Sequence, residues 1–248
     1  MISSESCLQL DRGNSATKWR LVTQGRIAAR GTYSPGNEES RARLLGCTPA
    51  LQKVWVASVA GAEVEQELAD MLVAQWGVQP WFARSTAQCG AVRNSYREPA
   101  RMGVDRWLAM LAAWRRIEGS VCVVDAGSAL TLDLLGDDGR HLGGYIIPGP
   151  VLMERALLLD TDRVRFAEDA DYALTPGSST AEAVRHGIAL AQAGAVRLLM
   201  DRTAIDADRI LFCGGGGEAL MQLLACGGEY LPDLVFEGLD ILAADSVA

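Results

Sequence analysis

Two stretches of this chain carry residue types that can hold a phosphate group. The first is Asp11-Arg12-Gly13-Asn14-Ser15-Ala16-Thr17-Lys18, and the second is Asp125-Ala126-Gly127-Ser128-Ala129-Leu130-Thr131. In each, a carboxylate ends an apolar run and is followed by glycine and small hydroxylated residues. Small residues let backbone N–H groups approach an anion closely. A carboxylate can position a hydrated metal ion, and a lysine can meet terminal phosphates. The first stretch supplies all of these: Asp11 for the metal, Gly13 and Asn14 for close approach, the Ser15 and Thr17 hydroxyls, and Lys18. The chain has 21 Arg but only two Lys, at 18 and 53, so a lysine kept in this loop suggests a task for a compact ammonium. A third element, Gly214-Gly215-Gly216-Gly217, presents bare backbone on which a flat adenosine can lie, although four glycines cost entropy on ordering. Each Asp-x-Gly alone is also an ordinary turn. Together, and in this order, the three elements favour a nucleoside triphosphate.

The elements that position these loops follow from pattern. Cys7 to Leu21 and Val121 to Leu135 share one plan: apolar strand, Asp-x-Gly-(Asn/Ser), small turn, second apolar stretch. Aligned on the Asp they lie 114 residues apart, close to half the chain. This predicts two topologically similar α/β halves, residues 1–118 and 119–248, with a nucleotide cleft between them. Lys53–Ser58 reads as a strand. Ala62–Trp76 reads as an amphipathic helix stopped by Gly77 and Pro80. Trp107–Trp114 is apolar almost all round, hence a largely buried helix. Leu142–Gly149 reads as a turn, a short strand and a stop. Ser179-Thr180-Ala181-Glu182 is a capping box opening a helix through Leu199. Arg209–Cys213 is a strand leading into the four glycines and a helix from about Glu218.

Composition narrows the class. The net charge is −8, which argues against DNA or a membrane surface as a partner. The charge is uneven: residues 1–118 carry 15 basic and 11 acidic side chains, net +4, and residues 119–248 carry 8 and 20, net −12. Seven Arg fall in residues 84–116 against only Glu98 and Asp105. A local basic stretch in an acidic protein suits a small anionic ligand or a solvated face. No uncharged apolar run approaches the roughly 18–20 residues of a membrane span. The first residues lack the pattern of an export signal, and the six scattered Cys read as reduced thiols, so a cytoplasmic location is expected.

Further motifs complete a resemblance. Asn94-Ser95-Tyr96, Met102-Gly103-Val104-Asp105-Arg106 and Gly143-Gly144-Tyr145-Ile146-Ile147-Pro148-Gly149 join the two phosphate loops. Together they resemble the type III pantothenate kinases, from about residue 7 to near the C-terminus. The Gly-x-Asp-Arg is the most family-specific of them. The resemblance implies the fold of the acetate-and-sugar-kinase/Hsp70/actin superfamily, with actin-like (ribonuclease H-like) halves. It implies ATP-dependent phosphorylation of pantothenate to 4′-phosphopantothenate, the first step of coenzyme A synthesis. Magnesium would accompany ATP, and potassium or ammonium would be required.

Residue by residue, the resemblance places Asp11, Arg12, Gly13, Asn14, Ser15, Ala16, Thr17, Lys18 and Ser128 at ATP. It places Asp125 beside the monovalent cation. Tyr96, Gly103, Val104, Asp105 and Arg106 would line the pantothenate pocket, with Asp105 as general base and Thr180 as a further substrate contact. A homodimer is implied. Each role has a plainer alternative. Asp105 could cap the helix expected from Trp107, Arg106 could pair with an acid, Tyr96 could be a core aromatic, and Thr180 could simply begin a helix. Three features depart from the family pattern: Arg12 stands where an apolar residue is commoner, Ser128 replaces Thr, and Thr161-Asp-Arg-Val-Arg165 is less typical. Other readings on the same fold are an actin/Hsp70-like nucleotide switch, an accessory regulatory protein and a kinase for another small molecule.

Overall fold

The computed structural model describes residues 6–117, 119–203 and 205–247. Its elements, in chain order, are β1 (Ser6–Arg12), β2 (Thr17–Thr23), β3 (Arg26–Tyr33), α1 (Glu38–Leu45), β4 (Lys53–Ser58), α2 (Ala62–Trp76), β5 (Trp81–Phe82), β6 (Gln88–Cys89), β7 (Val92–Arg93), α3 (Val104–Arg116), β8 (Val121–Ala126), β9 (Ala129–Leu135), β10 (His141–Pro148), α4 (Pro150–Asp160), α5 (Thr180–Thr203), β11 (Ile210–Cys213), α6 (Gly217–Leu224), β12 (Glu229–Tyr230) and α7 (Leu234–Val247).

Two five-stranded sheets repeat one plan. The first has the order β3-β2-β1-β4-β5 and the second β10-β9-β8-β11-β12. In the first, β1, β2 and β3 form an antiparallel meander, and β4 and β5 run parallel to β1. In the second, β8, β9 and β10 form the meander, and β11 and β12 run parallel to β8. The two similar α/β halves expected from the repeated Asp-x-Gly pattern are therefore present.

In the first sheet, tight turns set the meander. Gly13 N–H donates to the Ala16 carbonyl at 3.1 Å. The next turn uses Gln24 and Gly25, both at positive φ, as a two-residue hairpin of this twist requires. Leu8, Leu10, Trp19, Leu21, Val54 and Val56 face Leu44 of α1 and Leu68 and Leu72 of α2. Helix α2 ends at Gly77 in the left-handed region, φ 68°, because no side chain must be accommodated there.

The opposite face of that sheet holds a polar anchor. Buried Arg20 donates to Gln9 Oε1 at 2.6 Å and to Asp240 Oδ2 at 2.8 Å, with its guanidinium 4.9 Å from the Phe236 ring centroid. Gln9 donates to the other Asp240 oxygen. These contacts attach α7 to the N-terminal sheet. The compact units accordingly do not follow a single cut of the chain. One takes the described residues as far as Gly90, with Tyr96–Ala112 and the residues from Val235; the other takes Ala91–Ser95 and the residues between Ala113 and Leu234. The expected boundary, 118/119, falls partly on Glu118, outside the described residues.

Gly238 of α7 lies so close to the backbone of Leu108 on α3 that a Cβ would overlap the Leu108 carbonyl. Gly238→Ala therefore separates these helices, and a loss of about 1–3 kcal/mol is expected in urea unfolding. Gly25→Ala, with open space around it, serves as a turn-strain comparison.

In the second sheet, Cys122, Val124, Leu130, Leu132, Ile210 and Phe212 form a core with Ala193, Val196 and Leu199 of α5 and Leu220 of α6. Buried residues on α5 recur at Ala181, Val184, Ile188, Gln192, Val196 and Leu199, the spacing of one helical face. Ser179 caps the helix, its Oγ accepting from Glu182 N–H at 3.2 Å. The return bond is shifted by one residue. The Glu182 carboxylate accepts from Ser178 N–H and Oγ–H, each at 2.7 Å, and these bonds hold its pKa below the usual value.

Three sequence expectations change in detail. Leu142–Gly149 is not a turn before a short strand: β10 is paired from His141 to Pro148, and a bulge between His141 and Gly143 absorbs the irregularity with Gly143 at φ 121°. Helix α3 starts at Val104, because the Gly103 carbonyl accepts the N–H of Trp107 at 3.1 Å. Helix α5 runs past Leu199 to Thr203, whose Oγ1 donates back to the Leu199 carbonyl. Among the described residues, no helix is long and apolar enough to cross a membrane.

Candidate active site

The loops with phosphate-binding character sit at the carboxyl ends of parallel strands, where open α/β sheets usually place ligands. In the N-terminal unit, Asp11 lies beside Ala57 of β4 and across from Lys18 of β2. Directly paired residues share a face, so this register sets the carboxylate and the ammonium side by side. Asn14, Ser15 and Lys18 are exposed, while Arg12, Gly13 and Ala16 are partly covered. Arg12 donates from Nη1 to the Gly13 carbonyl at 2.7 Å, so its charge braces the turn. Thr17 is placed apart from the others. It lies on the core face with Trp19, fully buried, and its Oγ1 has no hydrogen-bond partner.

The other unit builds a tighter constellation. Asp125 is the next-to-last residue of β8, paired with Thr131 of β9 and beside Cys213, the last residue of β11. The turn after it closes by Gly127 N–H donating to the Ala129 carbonyl at 2.9 Å. Ser128 is exposed at the tip. Two glycine segments pack against this turn. Gly149 N–H donates to the Ser128 carbonyl at 3.0 Å, and a Cβ there would lie 2.5 Å from that oxygen and 2.6 Å from the Gly127 carbonyl. Gly216 N–H donates to the Ala126 carbonyl at 2.8 Å. Gly214, at φ 80°, approaches so closely that a Cβ would overlap the Asp125 carboxylate and the Ala126 carbonyl. Tyr230 buttresses the run, its hydroxyl donating to the Gly214 carbonyl at 3.1 Å.

Helices α4 and α6 therefore both begin beside the Gly127–Ser128 turn, and the first N–H groups of a helix lack partners within it. Such groups favour an anion. Gly149 was legible only as part of a motif. The Gly149-Pro150 pair, with Pro at the first helical position, was the signal for a helix start there.

Around α3 the structure brings a third group together. Asp105 is half-buried in the first turn of α3, and its Oδ1 accepts the N–H of Arg106 at 2.8 Å. It is thus not the residue before the helix, although it does satisfy one N–H of the first turn. Gly103 makes room for it, since a Cβ there would stand 2.6 Å from Asp105 Oδ1. Arg106 is buried and donates from Nη1 to the Tyr96 hydroxyl at 2.8 Å, with its guanidinium 5.8 Å from the ring centroid. Val104 is buried in the core. Thr180 belongs to the other unit. It is exposed at the start of α5 and borders an apolar groove between α4 and α5 of about 1050 Å³, lined also by Leu152, Met153 and Val184.

Comparison with known proteins settles the family. The type III pantothenate kinase family matches residues 7–202. A type III pantothenate kinase of Marinobacter nauticus is 36% identical over 97% of this chain and 99% of its own. The chain belongs to the type III pantothenate kinase family. A second type III pantothenate kinase, from Chromohalobacter salexigens, is 39% identical over 94% of this chain and 85% of its own. In fold, the chain is similar to a solved structure of a putative 2-dehydro-3-deoxygalactonokinase from Sinorhizobium meliloti. The TM-score is 0.62 at 15% identity, over 95% of this chain and 97% of that one. The family match and the fold likeness are both consistent with the repeated five-stranded sheets of this chain.

Proposed function

We propose that Asp105 is the general base of the reaction that family membership assigns to this chain, ATP-dependent phosphorylation of pantothenate in coenzyme A synthesis. The observation that carries the reaction is the match to type III pantothenate kinases along nearly the whole length of both chains. The observation that supports the base is Asp105 held at the head of α3 by Arg106 N–H and by a glycine that yields it space.

Phosphoryl transfer passes through a loose transition state, so catalysis is mostly positioning and neutralisation of charge. The acceptor is a primary alcohol. A carboxylate within hydrogen-bond reach accepts its proton late in the reaction and needs no pKa near neutrality. Arg106 and Tyr96, already joined, offer a cation and an amphipathic ring to the carboxylate and pantoyl parts of pantothenate. Gly103 and Val104 set the backbone of that pocket, and Thr180 adds a contact. For ATP we assign Asp11 to Lys18 in one unit and Ser128 in the other. Within the first loop the Arg12 and Thr17 side chains serve the turn and the core, leaving backbone groups, Asn14, Ser15 and Lys18 for the phosphates.

The Asp125 carboxylate and the Ala126 carbonyl both pack against Gly214, and hard oxygen donors of this kind suit potassium or ammonium. Asp125 would hold that ion and Asp11 the hydrated magnesium; bound cations supply charge neutralisation at the phosphates. We assign a cytoplasmic location and a homodimer, with no nucleic acid or membrane partner. The dimer reading is supported by aliphatic side chains left exposed on one unit: Leu142 and Ile146 of β10, Val151 and Leu159 of α4, and Leu190 of α5.

The test is ADP release with ATP and magnesium, with and without pantothenate, in potassium and then in sodium. Release that needs both pantothenate and potassium is expected. Equal rates in sodium would remove the cation role of Asp125, and release indifferent to pantothenate would remove the acceptor assignment.

A further inference from the structure

A polar chain with two buried members lies outside the residues assigned above. His141, the first residue of β10, is fully buried, and Asp133 of β9 is 1% exposed. His141 Nε2 lies 3.0 Å from Asp133 Oδ1, and His141 Nδ1 lies 2.9 Å from Ser95 Oγ. A carboxylate only accepts, so Nε2–H donates to Asp133, and in the neutral ring Nδ1 then accepts the Ser95 hydroxyl proton. The strands dictate the arrangement. Leu135 is opposite His141, and Asp133 lies two residues before Leu135 on the same face, so the pair is diagonal across the hairpin. A buried carboxylate is expensive unless it is hydrogen-bonded, which gives His141 a reason to be where it is.

Ser95 ends a short segment fastened to the β9–β10 turn. Arg93 N–H donates to the Gly139 carbonyl at 3.0 Å, and its guanidinium meets Asp138 Oδ2 at 2.6 Å. Gly139 permits the crossing, because a Cβ there would stand 2.5 Å from the Ala91 carbonyl. The fastening ends at Ser95. The next residue, Tyr96, is counted with the other unit and accepts from Arg106.

We propose that Asp133, His141 and Ser95 form a positioning relay for the kinase reaction: they fix the chain immediately before Tyr96 and so set the Tyr96–Arg106 pair for the acceptor substrate. None of the three touches substrate in this account. The inference rests on the assignment of Tyr96 and Arg106 to pantothenate.

The test is steady-state kinetics on the full-length enzyme for Ser95→Ala, Ser95→Thr, His141→Gln, the Ser95→Ala/His141→Gln double variant and Tyr96→Phe. Loss of one such hydrogen bond predicts a pantothenate KM raised about two- to tenfold in Ser95→Ala. Its ATP KM and kcat stay near wild type, and Ser95→Thr, which keeps the hydroxyl, restores the KM. The double variant costs no more than the larger single one, because both break one chain of bonds. Ser95 is exposed, so its variants fold even if His141→Gln does not. Additive losses would show Ser95 acting on substrate directly and overturn the relay, as would an unchanged pantothenate KM in Ser95→Ala beside a raised one in Tyr96→Phe. An unchanged KM in Tyr96→Phe would sink the substrate assignment itself and the relay with it.

Discussion

Asp105→Asn yields a folded enzyme that still binds ATP and turns over pantothenate about 100- to 10 000-fold more slowly, the usual worth of a positioned general base. The substitution keeps the shape of the side chain and one oxygen able to accept from Arg106 N–H, so α3 keeps its first turn. It removes the ability to take up the proton of the primary alcohol. Pantothenate KM should change far less than kcat, because the lost interaction strengthens only as the proton moves. The check is a kcat and KM determination beside nucleotide binding by fluorescence or calorimetry. A variant with full turnover would reduce Asp105 to the local role it also fills, accepting the N–H of Arg106. Weak ATP binding would instead point to a disturbed fold.

Gly214→Ala should damage the nucleotide and cation site and leave the pantothenate pocket intact. Two costs add at this position. The backbone stands at φ 80°, which costs an L side chain about 1–2 kcal/mol. The new methyl also meets the Asp125 carboxylate and the Ala126 carbonyl, and such overpacking costs about 1–3 kcal/mol. A stability loss of about 2–5 kcal/mol follows. Asp125 is pushed from its place, so potassium activation and ATP KM deteriorate together. Gly215→Ala is the control: nothing lies within 4 Å of its Cβ position and its φ is not in the left-handed region, so stability should stay within about 0.5 kcal/mol of wild type. Equal behaviour of the two variants in thermal unfolding and ATP titration would contradict the packing argument.

What could be seen in the sequence was local. The bounds of β4 and α2 follow from alternation, helical periodicity and the stop at Gly77. The two Asp-x-Gly turns revealed the repeated sheet plan because the same turn chemistry, carboxylate then glycine, ends β1 and β8. The Gly-x-Asp-Arg motif pointed to Asp105, but its place inside α3 depended on where the first helical hydrogen bond forms. What could not be seen depends on partners far apart in the chain. Gln9 and Asp240, 231 residues apart, bring the last helix to the first sheet. No periodicity in either segment announces that. The Asp133–His141–Ser95 chain is hidden for the same reason. Thr17 illustrates a different limit: a hydroxyl in a phosphate loop was legible, but the side of the sheet it faces was set by the register of β2.

The central claim is that this chain moves the terminal phosphate of ATP to the primary alcohol of pantothenate. The most direct measurement follows label from γ-labelled ATP after incubation with magnesium, potassium and pantothenate. The account predicts label in 4′-phosphopantothenate, formed only with pantothenate present and nearly abolished in Asp105→Asn. Label released as inorganic phosphate at the same rate with or without pantothenate would contradict it and leave a nucleotide-hydrolysing switch on the same fold.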